Sequence, residues 1–235
     1  MPRFSAAAHV QRDAVTGDTF IKDVPMVDQG QKGYCVVAST ERVMRYYGGD
    51  VDANELAQIA NSDAEGGTSQ QAMIASLKKV AARLKVRVRE LEKMEVKDIL
   101  DLIKDYNRAA KKDGASQIPD QGRMLDMGAI YAAMKGDILR DARTKNKSDL
   151  SRFQRTVAEH TDKGIPLLWT VQLGILQDKN IPQSGGGHMR LIIGYNAKTN
   201  DILFSDSWGA GHELKRMPTV DAWTITTSLT KIEPM

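Results

Sequence analysis

The chain has 235 residues, 41% of them hydrophobic and 27% charged, the composition of an ordinary globular protein of one large domain. Its 33 basic and 30 acidic residues leave a formal charge of +3, too near balance to point to a nucleic-acid partner. The single cysteine, Cys35, allows no internal disulfide, and the histidines at 9, 160, 188 and 212 lack zinc-ligand spacing, so no metal or other cofactor is expected.

A chain of this size buries roughly 70% of its unfolded surface and needs neither disulfide nor metal to hold a core. No apolar run reaches the roughly 18 residues of a membrane span. Met1 to Val10 lacks the form of a signal peptide, so the expected location is cytoplasmic, or secreted or periplasmic if a leader has been removed.

Asp18 to Ile21 reads as a short strand, and Val24 to Val27 as extended chain, because Pro25 disfavours helix in the residue before it. Gly30 and Gly33 break regular structure ahead of Cys35. From Cys35 to Tyr47, Val36, Val37, Thr40, Val43, Met44 and Tyr47 recur at helical spacing, and Gly48-Gly49 supplies a stop. Asp52 to Ala60 reads as a second helix, with Asp52 as cap and Leu56, Ile59 and Ala60 facing inward. After a turn at Gly66 to Ser69, a third helix is predicted over 69–84 on Met73, Leu77, Val80 and Leu84.

Val86 and Val88 alternate with arginines as in a short strand. Residues 95–112 form a helix on Val96, Ile99, Leu100, Ile103 and Tyr106. Beyond a polar loop, a helix is predicted over 124–143, and another starts at Ser148 or Ser151 and runs toward His160. The basic residues of this middle section read as a solvated face.

The last third changes to strands: 166–171, 189–195, 202–204 and 223–226, with Asn196 to Asn200 as a hairpin connection. Helices first and antiparallel strands later indicate the α+β class, with a cleft between the halves. The expected division is a Cys-helix lobe over 1–94, a helical section over 95–160 and an antiparallel β lobe over 161–235.

Gln29-Gly30-Gln31-Lys32-Gly33-Tyr34-Cys35 is the informative segment. It sets a cysteine on the first turn of an apolar-faced helix, where free N–H groups and the helix dipole favour a thiolate. The thiolate is the species that attacks a carbonyl. The developing oxyanion needs donors: the Cys35 N–H is one and the Gln29 amide a second, with Gln31 competing for that role. A proton-carrying partner is also required. His188 is the best placed, following Gly185-Gly186-Gly187 at the head of an apolar strand, where a polar ring is costly unless paired. Asp206 lies 18 residues further on (206 − 188), the length of a strand, a hairpin and a returning strand. Its carboxylate is then able to accept an N–H from one ring nitrogen and turn the other toward sulfur. Trp208 is placed to cover that hydrogen bond. His212 is the rival base.

These blocks resemble the papain-like cysteine peptidases. Gln29 stands six residues before Cys35, as in their active-site segment. The strand from His188 to Gly194-Tyr195 resembles their histidine strand, and Asp206-Ser207-Trp208-Gly209 resembles their Asn-Ser-Trp-Gly motif. Val24-Pro25 through Cys35 to Tyr46-Tyr47-Gly48-Gly49 is closer still to the bacterial C39-like branch, and Lys163 to Leu167 resembles the element before its central strands. The resemblance implies a papain-like fold with the Cys helix packed against a C-terminal antiparallel sheet, and a helical insertion at about 95–150. The insertion accounts for the spacing of 153 residues from Cys35 to His188 (188 − 35).

Three positions depart from the pattern. Lys32 stands where plant and lysosomal members have a disulfide cysteine, Val36 replaces an aromatic residue, and Asp206 replaces asparagine. The 34 residues before Cys35 are too few for the usual inhibitory propeptide, so either none operates or another segment controls access. The implied activity is hydrolysis of a peptide or protein substrate by Cys35, His188, Asp206 and Gln29. Acyl transfer or deamidation by the same groups, and a non-catalytic peptide-binding module, are the alternatives.

Overall fold

The computed structural model describes residues 4–30, 33–49, 51, 53–60, 70–122, 125–177 and 185–235. In chain order, strands β1 (Val10–Arg12) and β2 (Asp18–Ile21) precede helices α1 (Cys35–Tyr46), α2 (Ala53–Ala60) and α3 (Gln70–Val80). Strand β3 (Val86–Lys93) leads into α4 (Val96–Lys112), α5 (Met127–Ala132), α6 (Gly136–Thr144) and α7 (Lys147–Asp162). Strands β4 (Leu167–Leu173), β5 (Gly186–Asn196), β6 (Asp201–Ser205) and β7 (Lys215–Pro218) follow, then α8 (Thr219–Ile225) and β8 (Thr226–Pro234). Gln31, Lys32, the Asp52 cap, the turn at 66–69 and Met124 lie outside the described residues, as do the side chains of Ile59, Ala60 and Val80.

The strands form one antiparallel sheet in the order β1-β2-β5-β4-β8-β3, with β6 paired to β5 and β7 to β6. This is the expected α+β architecture, with α1 packed on β5. The sheet also recruits β1, β2 and β3 from the first half of the chain. Period-two alternation divides its residues between two cores. Leu168, Met189, Leu191 and Ile193 face α1, where they meet Val36, Val37, Val43 and Met44. Trp169, Val171, Ile192 and Phe204 face the other way, toward Phe153 of α7 and Trp223 of α8. Each such fully buried side chain favours folding by roughly 1.5–3 kcal/mol.

Helix α4 starts with a capping box, in which Glu95 and Asp98 each accept from the other's backbone N–H. Its buried face, Ile99, Leu102, Ile103 and Tyr106, packs against Ile130, Ile138 and Leu139, a third core whose described buried members lie within residues 99–142 and against which Met94 and Ile175 pack.

Several expected boundaries are corrected. The helix predicted over 124–143 is two helices, α5 and α6. The chain turns between them so that the Lys135 N–H donates to the Tyr106 hydroxyl at 2.9 Å. Helix α3 ends at Val80, and Leu84 lies in the following turn, which Lys85 closes with a φ of 52°. The strand predicted from Trp223 begins only at Thr226. Residues 219–225 are α8, whose buried Ala222, Trp223 and Ile225 fill the core under α7. Among the described residues no helix is long and apolar enough to cross a membrane.

Candidate active site

Cys35 is the first residue of α1 and is partly buried. The residue before it, Tyr34, makes no side-chain cap on the helix. Burial pushes the thiol up. The hydrogen bond and charge of the His188 ring oppose this, together with the backbone N–H groups of Met189 and Val36, and hold it below the usual thiol value. Helix α1 is tied to the sheet where this matters, since the Ser39 hydroxyl donates to the Met189 carbonyl at 3.3 Å.

His188 stands on β5, 5% exposed, opposite Val171 of β4. Its Nε2 bonds Oδ1 of Asp206 at 2.6 Å, which leaves Nδ1 for the sulfur. Burial pushes the ring down, but Asp206 and Cys35 outweigh it and raise the imidazole above its ordinary value. Asp206 follows β6 directly. The β5–β6 pairing sets Ser205 opposite Leu191 and so carries the next residue back beside His188, as the hairpin spacing predicts. Trp208 stacks on the imidazole at 4.5 Å between ring centroids and 9° between planes, covering one face of it.

Gln29 is brought to the same place by the loop before α1. Its N–H donates to the Ser207 carbonyl at 2.7 Å, and the Ser207 hydroxyl donates to Oε1 of Gln29 at 2.7 Å. The amide Nε2 remains to donate elsewhere. The loop approaches closely here: a Cβ on Gly209, whose φ is +81°, would stand 2.7 Å from Oδ2 of Asp28. Gln31 lies outside the described residues. His212, the rival base, meets the site through its backbone, its carbonyl accepting from the Asp206 N–H at 2.9 Å. Its ring stands edge-on to Trp208, 5.7 Å between centroids.

Two arginines escape sequence reasoning. Arg190, fully buried on β5, donates from Nε to Oδ2 of Asp206 at 2.8 Å. Arg42 of α1, 1% exposed, donates to the carbonyls of Asp206 and Pro25, each at 2.8 Å, and to the Ser205 hydroxyl. The Ser207 N–H adds a bond to Oδ1 of Asp206 at 2.9 Å. Burial would raise the Asp206 carboxyl, but His188, Arg190 and that N–H lower it below its usual range. An arginine and an apolar strand carry no local mark of such pairing; a hint was Arg190 standing at the same strand phase as His188.

The Peptidase_C39 like family matches residues 21–112 and 106–230, which takes in both Cys35 and the His188–Asp206 hairpin. The chain belongs to the Peptidase_C39 like family. With that membership it is a cysteine-type peptidase. Two solved structures are similar to this C39-like chain. One is the peptidase domain of Streptococcus ComA, a bifunctional ABC transporter involved in a quorum-sensing pathway. It has 13% identity and a TM-score of 0.43, with 90% of this chain and 99% of that chain covered. The other is xylellain, a cysteine protease from Xylella fastidiosa, at 14% identity and a TM-score of 0.48, with 100% of this chain and 90% of that chain covered. No curated protein matches the C39-like chain.

Proposed function

We propose that the protein hydrolyses peptide bonds through a thioester acyl-enzyme, with Cys35 as nucleophile, His188 as general acid and base, Asp206 orienting His188, and Gln29 in the oxyanion hole. The observation that carries this is the unbroken series of contacts from the Cys35 thiol through the His188 ring to a fully buried Asp206 carboxylate.

The thiolate of Cys35 attacks the scissile carbonyl carbon. A C–S bond forms and the carbonyl electron pair moves onto oxygen. The Cys35 N–H, at the open start of α1, and the Gln29 amide donate to that oxyanion. As the intermediate collapses, the C–N bond breaks and imidazolium His188 gives its proton to the leaving amine. Neutral His188 then takes a proton from water as the water attacks the thioester. The C–S bond then breaks to release the Cys35 thiolate beside imidazolium His188, and the carboxylic acid product leaves and gives its proton to solvent. Asp206 fixes the ring through Nε2 and stabilises its protonated form; it does not itself carry the proton.

Mass spectrometry of a peptide library incubated with the protein, against a Cys35→Ser control, tests this. New free carboxyl ends that depend on Cys35 are expected. Amine adducts in place of carboxylates would show acyl transfer instead, and peptides left intact by both proteins would refute the assignment.

A further inference from the structure

Arg190 follows His188 by two residues on β5, so the strand period turns both side chains to the same side of the sheet. The arginine is fully buried. Its Nε donates to Oδ2 of Asp206 at 2.8 Å, while Oδ1 of the same carboxylate holds His188 Nε2 at 2.6 Å. The guanidinium lies 4.7 Å from the centroid of the Phe204 ring, so packing restricts its own movement. A carboxylate hydrogen-bonded through one oxygen alone is free to rock about its last torsion. Held at both oxygens, it presents Oδ1 to the ring in one orientation.

Resting on the peptidase assignment above, we infer that Arg190 is a positioning residue: it fixes the Asp206 carboxylate so that Oδ1 stays on His188 and Nδ1 stays on the Cys35 sulfur. Arg42 serves a different part of the same residue, the Asp206 main-chain carbonyl. Among the described residues, the titratable and charged groups around this carboxylate are His188 and Arg190 on β5 and Cys35 and Arg42 from α1. The loop after β6 adds His212 and Glu213, the latter acting on Arg42. Asp28, in the loop before α1, stands against Gly209.

A purely structural ion pair would change stability and leave the chemistry of the folded enzyme alone. Steady-state kinetics on a cleaved peptide therefore compare the wild type with Arg190→Gln, Arg190→Lys, Asp206→Asn and the Arg190→Gln/Asp206→Asn double variant. The alkylation rate of Cys35 by iodoacetamide is followed against pH in each. In Arg190→Gln, kcat is expected to fall at least about tenfold with KM changed less than about twofold, since a small misplacement of catalytic groups costs rate more than binding. The thiolate titration of Cys35 should move to higher pH. Arg190→Lys, which keeps the charge without the planar fork, should recover part of the loss. In the double variant, removing Arg190 should add little to the loss from Asp206→Asn, because the arginine acts through that carboxylate.

Wild-type kcat and an unshifted alkylation profile in folded Arg190→Gln would overturn the inference, as would additive losses in the double variant. If Arg190→Gln does not fold, Arg190→Lys decides: a lower kcat at unchanged KM supports the role, and wild-type kcat overturns it. A wild type without Cys35-dependent turnover would count against the peptidase assignment, not against Arg190. The alkylation profile then tests Arg190 alone, a shift in the variants supporting it and superposition overturning it.

Discussion

The hydroxyl of Ser207 donates to Oε1 of Gln29 at 2.7 Å, and the backbone N–H of Gln29 donates back to the Ser207 carbonyl at the same distance. The two residues lie 178 positions apart in the chain. One is next to Asp206 and the other six residues before Cys35, so this pair joins the loop before Cys35 to the hairpin that carries His188 and Asp206. It also selects which end of the Gln29 amide is committed, leaving Nε2 as the donor.

Gln29→Ala should therefore lower kcat by about 10²–10³, the usual cost of losing one oxyanion donor. Ser207→Ala keeps the amide but frees it to rotate. Its kcat should fall by less, and stability by about 1 kcal/mol for the lost hydrogen bond. Peptide-cleavage kinetics with chemical denaturation check both, and a Ser207→Ala variant slower than Gln29→Ala would refute the ordering.

His188 and His212 differ in what they offer the site. The His188 ring bonds Asp206 and acts on the Cys35 thiol, whereas His212 contributes a carbonyl. His188→Ala should lose about 10²–10⁴ in kcat, the range of a general acid–base catalyst, while His212→Ala keeps its carbonyl and should stay within about threefold of wild type. Comparable losses in the two variants would break the assignment.

The Asp206 carboxyl lies below its ordinary value of 3.8 in the folded chain, burial being outweighed by His188 and Arg190. A group with a depressed folded pKa adds stability at pH values above its unfolded pKa, and loses it as pH falls through the folded value. His188 runs the other way: raised above 6.5, it adds stability below that pH and loses it as pH rises through its folded value. Thermal unfolding midpoints of the wild type should drop more steeply below about pH 4 than those of Asp206→Asn, since only the wild type has this carboxylate to protonate. Parallel curves for the two proteins would contradict the shift.

At Gly194 of β5 the backbone of β2 lies close against the strand. A Cβ there would stand 2.5 Å from the Thr19 carbonyl oxygen and 2.7 Å from Cβ of Phe20. Backbone has no way to yield as a flexible side chain does, so Gly194→Ala should destabilise the fold by about 1–3 kcal/mol, the usual cost of overpacking. Cys35 alkylation in the protein that remains folded should be unchanged. Denaturation midpoints read the first and labelling rates the second.

The parts of this molecule that were legible in sequence are those whose signals are local. The apolar spacing from Val36 to Tyr47 marks α1, and the run after His188, with the Asn196 to Asn200 turn, marks the β5–β6 hairpin. Together they bring Asp206 beside His188. Arg42 and Arg190 were not legible, because their pairing with Asp206 depends on the sheet register and on how α1 lies across it. Lys215 to Pro218 has too few strand formers to announce β7, which exists because β6 offers it an edge. In sequence Trp223 reads as strand because it adjoins the β-branched run Thr224-Ile225-Thr226-Thr227. The helix there forms because its aromatic ring caps the core between Phe153 and Arg143, a tertiary demand that overrides local propensity.

Alkylation of Cys35 in folded, reduced protein, followed by mass mapping of the adduct at several pH values, is the most direct measurement of the thiolate–imidazolium pair. Cys35 should be labelled at about pH 6 faster than an ordinary thiol is, and His188→Ala should abolish that low-pH advantage. A Cys35 that stays unlabelled, or that reacts like an ordinary thiol with or without His188, would contradict the assignment.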